Sequence, residues 1–225
     1  MAEPTTTGAR LRENAAPLLI LAALAATPMI ALALNDPFIV KVATRVVIFA
    51  IAATALNFVV GYGGLVSLCH AGFFGVGGYV VGILAWHDFN AEPLWFIPGT
   101  SNLAITLPAA IVVSGLIAGI VGAISLSTSG PYFLMITLAF NQMFYYGAVA
   151  LQKYGGDDGL QIMSTITLGG LDVSNRYRFF YLALAVLALT LLLIGRFVDS
   201  RFGMVLRAAS RNETRVVAVG VDPWL

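Results

Sequence analysis

Six apolar runs, each about as long as a membrane-spanning helix, dominate this 225-residue sequence. A helix needs about 20 apolar residues to cross the hydrocarbon core of a bilayer. The chain is 59% hydrophobic and 10% charged, whereas soluble domains are roughly 25% charged. The sequence therefore predicts an all-α integral membrane protein with about six transmembrane helices. The spans are expected near residues 15–34, 40–60, 65–86, 103–126, 132–151 and 179–197.

Polar segments flank these spans and predict the orientation. Residues 1–14 form a polar tail, 15–197 the transmembrane domain and 198–225 a second polar segment. With six spans both ends lie on one side, which carries seven of the 12 basic residues and is therefore predicted to be cytoplasmic. Those seven are Arg10, Arg12, Arg196, Arg201, Arg207, Arg211 and Arg215. Lys41 and Arg45 would lie on the opposite side and count against this orientation.

Composition also excludes several kinds of site. A net charge of +1 argues against nucleic acid as a partner. The single cysteine, Cys69, excludes an internal disulfide and a thiolate zinc site, and two histidines are too few for a multi-histidine metal site. Cys69 and His70 would point about 100° apart on a helix, with no supporting acid. We therefore expect no catalytic residue, no metal and no cofactor bound by this chain.

Residues 61–82, GYGGLVSLCHAGFFGVGGYVVG, hold eight of the 23 glycines. At helical spacing Gly72, Gly75, Gly78 and Gly82 share one smooth face, which predicts close packing of the third span. This span is expected to continue to Trp86, an interfacial aromatic residue, with His87 beginning a loop. The alternative to a purely packed helix is that polar residues just before the glycines line a path through the membrane.

Uncharged polar residues in the spans are the candidates for such a path. Within lipid a polar side chain marks either a hydrogen bond between helices or a route for a ligand, and both interpretations stay open. His70 is the strongest candidate because an ionisable group in a span is a functional hypothesis by default. The candidate pathway residues are Asn57, Ser67, His70, Thr137, Asn141 and Gln142.

The second polar segment has its own pattern. Ser210 followed by Glu213 is a capping box, which predicts a short helix over residues 211–219 that ends at Gly220. A preceding helical turn is expected over residues 203–209. Two interpretations remain open for this amphipathic segment: an interfacial helix held by anionic lipid, and a helix that docks into a groove of a cytoplasmic partner.

Four stretches together resemble a known family. They are ALN at 55–57 with GYGGLVSL at 61–68 and HAGFFG at 70–75, GPYF at 130–133 with TLAF at 137–140, GGDDGL at 155–160, and SRFG at 200–203 with LRA at 206–208 and NE at 212–213. Their order and spacing resemble the membrane permease subunit of LIV-type, branched-chain amino-acid ABC importers, across roughly residues 45–225.

The resemblance implies a set of partners and a location. Such a subunit pairs with a second related permease, two cytoplasmic ATPase subunits and an extracytoplasmic substrate-binding protein, in the cytoplasmic membrane of a bacterium or archaeon. It transports branched-chain or other amino acids, urea or short amides. The resemblance also implies that Gly203, Arg207, Glu213 and Gly220 couple the membrane path to the ATPases. No phosphate-binding loop is present, so ATP would be hydrolysed by the partner subunits.

The resemblance also bears on the chain end and on rival functions. The family pattern continues with further spans beyond Leu225, so this chain is expected to be the N-terminal part of a longer permease that does not transport by itself. A secondary transporter or channel and a structural assembly subunit are the alternatives. No predicted span contains a carboxylate, which counts against proton or sodium coupling.

Overall fold

A computed structural model describes residues 7–33, 36–93, 99–126, 128, 130–162, 167–168, 171–172, 175–218 and 220. Eight α-helices follow one another along these ranges. They are α1 (Thr7–Ala33), α2 (Pro37–Asn57), α3 (His70–Phe89), α4 (Leu103–Ser125), α5 (Pro131–Ala150), α6 (Arg176–Val198), α7 (Arg201–Arg211) and α8 (Glu213–Ala218). A π-helical turn, Phe58–Tyr62, extends α2. Two 3-10 turns, Gln152–Tyr154 and Gly156–Asp158, and a hairpin, β1 (Thr167–Leu168) with β2 (Leu171–Asp172), lie between α5 and α6.

The prediction of a helical membrane protein is confirmed. Among the residues that the structure describes, four helical stretches are long and apolar enough to cross a membrane: Pro37–Tyr62, Leu103–Ser125, Pro131–Ala150 and Arg176–Val198. A shorter apolar stretch, Ile20–Ala33, belongs to α1. The glycine-rich α3 is not among the four. The count of six spans therefore stays a prediction.

The third helix begins and ends later than the sequence indicated. Residue Gly64 has φ +67°, a left-handed conformation that an α-helix does not accept. The chain therefore leaves the helical path after Tyr62 and resumes it only at His70. Ser67 lies in this connection and not in a span. At the other end His87, which we expected in a loop, lies inside α3 and is buried.

The chain divides into two compact units. The first comprises Met1–Ala55 and Asn175–Ser200. Its core is formed by α1, α2 and α6, with the residues from α2 and from α6 spaced by three and four positions so that each set occupies one helix face. Val47 and Phe180 are completely buried in it. The core residues are Ala31, Val40, Ala43, Val47, Phe180, Ala183 and Leu187.

The second unit comprises Leu56–Ser174 and Arg201–Leu225. Its centre is the bundle of α3, α4 and α5. The Asn102 side chain caps α4 by accepting a hydrogen bond of 3.1 Å from the Ala104 N–H. Pro131 occupies the first turn of α5, where its missing N–H costs nothing. All the sites described below lie in this unit.

The polar segment after α6 forms two short helices ahead of Gly220, as predicted, but the boundary between them differs from the prediction. Helix α7 runs from Arg201 through Ser210 to Arg211, and the Ser210 hydroxyl donates to the Arg207 carbonyl at 3.0 Å. Ser210 is therefore a residue of α7, and the prediction that it caps the second helix is wrong, whereas the predicted second helix is present within two residues of its expected bounds. The break falls at Asn212, after which the short helix α8 begins at Glu213. Because the Ser210 hydroxyl is already hydrogen-bonded within α7, Ser210 does not cap a new helix.

Candidate functional site

A cleft of about 860 Å³ lies between α3 and α5 in the second unit. Its shape follows from the glycine face of α3. At Gly72 an added Cβ would come within 2.7 Å of the Phe144 ring and 3.0 Å of the Asn141 side-chain oxygen, so the two helices touch there. At Gly75, one turn further along, nothing lies within 4 Å of an added Cβ. The helices therefore diverge between these two glycines, and the cleft opens in the gap.

The cleft wall is mostly apolar. Helix α4 contributes two branched side chains, and the turn after α5 contributes one acidic residue. Phe73 and Phe144 meet at the closed end, with ring centroids 6.1 Å apart. The side chains that form the walls include Val76, Tyr79, Val80 and Ile83 from α3, Val113 and Ile117 from α4, Asn141, Phe144, Ala148 and Val149 from α5, and Asp157.

The other predicted packing glycines differ in their surroundings. An added Cβ at Gly82 would overlap the Leu160 side chain, so the segment after α5 lies directly against α3 at this point. At Gly78, by contrast, an added Cβ would have nothing within 4 Å. The glycine face of α3 is thus covered at Gly72 and Gly82 and open at Gly75 and Gly78.

Of the six candidate pathway residues, Asn141 lines the cleft. Thr137 is buried one turn earlier on α5, where its hydroxyl donates to the Leu134 carbonyl at 3.0 Å and accepts from the Leu68 N–H at 3.3 Å. That hydroxyl therefore joins α5 to the segment before α3. Ser67 and His70 are half-buried beside this bond, and the side chains of Asn57 and Gln142 are exposed. These four do not line the cleft.

Residues 64–69, named here the Gly64 loop, connect the tail of the chain to the cleft helices. An added Cβ at Gly64 would lie 2.9 Å from the Cβ of Ser210, so α7 rests against the backbone of this loop. The loop bonds to α5 through Leu68 and Thr137. It ends at the fully buried Cys69, directly before α3. A continuous set of contacts therefore runs from α7 through the Gly64 loop to α3 and α5.

The four candidate coupling residues all lie in or beside α7 and α8. Gly203 is buried on α7, and its carbonyl accepts a hydrogen bond of 3.3 Å from the Arg207 Nε. Arg207 itself is exposed. Glu213 is the first residue of α8, and Gly220, with φ +86°, forms the turn that follows it.

A polar and aromatic cluster at the far end of α3 was missed from the sequence. His87 is 3% exposed; its Nδ1 bonds the Glu92 carbonyl and its Nε2 bonds the Tyr154 hydroxyl, each at 3.0 Å. Trp86 packs edge-on against both rings. Lys153 lies 5.0 Å from the centroid of the Trp86 ring and 3.2 Å from the Glu92 carboxylate. We name Trp86, His87, Glu92, Lys153 and Tyr154 the His87 cluster.

The cluster ties the start of the α3–α4 connection to the turn after α5. The sequence pattern did not indicate the cluster, because His87 and Tyr154 are separated by 67 positions and only the tertiary fold brings them together. Within the described ranges, no group of three His, Cys, Asp or Glu residues is arranged to hold a metal ion.

Comparison with known proteins adds a family match. The model of the family described as "Branched-chain amino acid transport system / permease component" matches residues 38–225. Among curated proteins, the chain is 26% identical to the high-affinity branched-chain amino acid transport system permease protein LivM of Salmonella typhimurium and 25% identical to LivM of Escherichia coli. Each alignment covers 87% of this chain and 50% of the relative, so the chain spans about half the length of these curated relatives. No solved structure matches significantly.

Proposed function

Because this chain belongs to the family of branched-chain amino acid transport permease components, we propose that it is the membrane subunit, or part of it, of an ATP-driven importer. It forms part of the substrate path and hydrolyses no ATP itself. The observation that carries this proposal is the family match, which extends from α2 to the last residue of the chain. Two cytoplasmic ATPase subunits, a second related permease and an extracytoplasmic binding protein complete the assembly.

The cleft between α3 and α5 is the proposed path. Its volume, about 860 Å³, falls in the range typical of small-molecule sites, roughly 300–1,000 Å³. Apolar walls complement the side chain of a branched-chain amino acid, and the Asn141 side chain supplies a hydrogen-bonding group to the same space. Amino acids with apolar side chains are therefore the favoured substrates, ahead of urea and short amides.

The contacts of the Gly64 loop support the proposed coupling. ATPase closure would move α7 and α8, whose candidate coupling residues are Gly203, Arg207, Glu213 and Gly220. Since α7 rests on Gly64, and the same loop bonds to Thr137 of α5, a displacement of α7 reaches both helices that border the cleft. In this arrangement both ends of the chain lie in the cytoplasm.

Uptake by the assembled transporter tests the path. A Gly75→Leu variant places a large side chain in the open part of the cleft, whereas Gly195→Leu places the same side chain on α6, where an added Cβ also has nothing within 4 Å. We expect ATP-dependent leucine uptake into proteoliposomes to fall at least tenfold for Gly75→Leu and to change little for Gly195→Leu. Equal uptake by both variants would remove the cleft from the path, and uptake that is independent of ATP would overturn the importer function.

A further inference from the structure

Helix α7 has two sides of opposite chemistry. At about 100° per residue, Phe202, Val205, Leu206 and Ala209 fall within an arc of about 100°, and Arg207 and Arg211 fall on the opposite side. The helix contains three arginines and no acidic residue. Its contact with the Gly64 loop uses a third direction, through Ser210. The centre of the apolar arc therefore lies about 90° around the helix from Ser210, the residue that contacts the Gly64 loop.

The apolar arc is incompletely covered within the chain. Phe202 is 63% exposed, and Val205, Leu206 and Ala209 are half-buried. The Phe202 side chain, at 63% exposure, therefore has most of its surrounding outside the chain.

The position of α7 along the chain identifies that surrounding. Only Asp199 and Ser200 separate the end of α6, an apolar helix long enough to cross a membrane, from the start of α7. Two intervening residues span about 10 Å at most, so α7 begins where α6 leaves the bilayer. At that depth an amphipathic helix meets acyl chains on one side and headgroups on the other.

We propose that α7 is an interfacial helix that binds anionic phospholipid. Its apolar arc enters the boundary of the acyl chains, and Arg201, which is exposed beside that arc, contacts a headgroup phosphate. Arg207 and Arg211 add long-range attraction to the same negative surface. Lipid then holds α7 at the depth at which it touches the Gly64 loop. This inference does not depend on the importer function, since a lipid surface is present around any membrane protein.

Two exposed residues of α7 make a matched pair of reporters. Phe202 and Met204 are 63% and 57% exposed in the chain alone, yet they lie about 160° apart around the helix. In a Cys69→Ala background, single Phe202→Cys and Met204→Cys variants of the full chain carry a spin label into nanodiscs. Collision with oxygen reports a lipid surrounding, and collision with a water-soluble nickel chelate reports an aqueous one.

We expect the oxygen-to-nickel accessibility ratio to be at least threefold higher at position 202 than at position 204 when the discs contain phosphatidylglycerol. The difference should decrease in pure phosphatidylcholine. In the double variant Arg201→Gln, Arg211→Gln, the difference between the two positions should no longer depend on phosphatidylglycerol. The reason is that each basic residue near an anionic surface contributes about fivefold to binding. Far-UV circular dichroism of each variant confirms that the helical content is retained.

Equal ratios at the two positions in both lipids would overturn the proposal. So would a ratio at position 202 that rises only after the ATPase subunits are added, since the arc would then be a protein-docking surface. That second outcome would leave the importer function standing. Conversely, a lipid-buried position 202 in a chain that binds no ATPase would support the lipid site and contradict the importer function.

Discussion

The two ends of α3 are held by different kinds of contact. At one end the His87 cluster relies on side chains around a buried imidazole, both of whose nitrogens are hydrogen-bonded. At the other end the Gly64 loop relies on close approach between backbone and α7, together with one hydrogen bond from Leu68 to Thr137. The helix between them is about 30 Å long.

This difference separates anchoring from transmission. Several short polar contacts around one buried histidine define a single arrangement, because any displacement leaves a buried polar group unpaired. A glycine packed against a helix surface has no such requirement and accepts small sliding movements. The His87 end is therefore the fixed end of α3, and the Gly64 end is the one at which our proposed coupling movement enters.

The largest expected effect lies in the turn that the His87 cluster holds. Gly155 has φ +101°, and an added Cβ would overlap the Gly159 carbonyl oxygen. Gly155→Ala should destabilise the chain by about 3 kcal/mol, measured by denaturant titration in mixed micelles. Gly220→Ala is the control: its φ is +86°, but nothing lies within 4 Å of an added Cβ, so it carries a positive-φ alanine without the overlap. Equal losses for both variants would mean that the overlap is not restrictive.

Removing the histidine tests the anchored end directly. His87→Phe keeps a ring of similar size but leaves the Glu92 carbonyl and the Tyr154 hydroxyl without their partner. We expect a loss of about 2 kcal/mol in the free energy of unfolding. Tyr154→Phe removes one of the two bonds and should cost about half as much. If His87→Phe were neutral, the cluster would not anchor α3.

A smaller loss is expected at the Gly64 end. Gly64→Ala introduces an alanine in the left-handed conformation, with its Cβ 2.9 Å from the Cβ of Ser210. We expect this change to lower the free energy of unfolding by about 1.5 kcal/mol. Ser210→Gly removes the second Cβ. The double variant should therefore be more stable than the sum of the two single losses indicates, as measured in a double-mutant cycle. Strict additivity would show that α7 does not rest on the loop.

The smallest expected effect concerns the hydrogen bond between Leu68 and Thr137 at the Gly64 end of α3. Thr137→Val removes the acceptor of the Leu68 N–H and should cost about 1 kcal/mol. Thr54→Val is the matched control, since the Thr54 hydroxyl donates to the Ala50 carbonyl of its own helix at 2.7 Å, and its loss should be below about 0.5 kcal/mol. Faster hydrogen exchange at Leu68 in Thr137→Val would locate the effect in the Gly64 loop, whereas unchanged exchange would contradict it.

The sequence predicted what depends on long apolar runs and missed what depends on single turns. Helices α4, α5 and α6 lie within three residues of their expected bounds because their apolar runs have clear polar limits. The resemblance seen in four short motifs is confirmed by the family match over residues 38–225. The start of α3 was placed five residues too early, because an apolar glycine-rich run does not reveal which glycine adopts a left-handed conformation.

The tail and the candidate site show the same limit. The Ser210 and Glu213 pattern was a valid local signal, but it competed with continuation of α7, and the helix continued through Ser210. Asn141 was identified as a polar residue in a span, yet its place in the cleft depends on where α3 and α5 diverge, which the sequence does not encode locally. The coupling roles of Gly203, Arg207, Glu213 and Gly220 stay predictions.

The most direct test of the proposed function is copurification of this chain, within its full-length protein, with the ATPase subunits and the partner permease, followed by ATP hydrolysis with and without loaded binding protein. A Glu213→Arg variant, at the start of α8, serves as the comparison. We expect a stable complex whose hydrolysis is stimulated by loaded binding protein, and a variant that loses this stimulation while its helical content is unchanged. Failure of the wild-type chain to associate with any ATPase subunit would contradict the importer function.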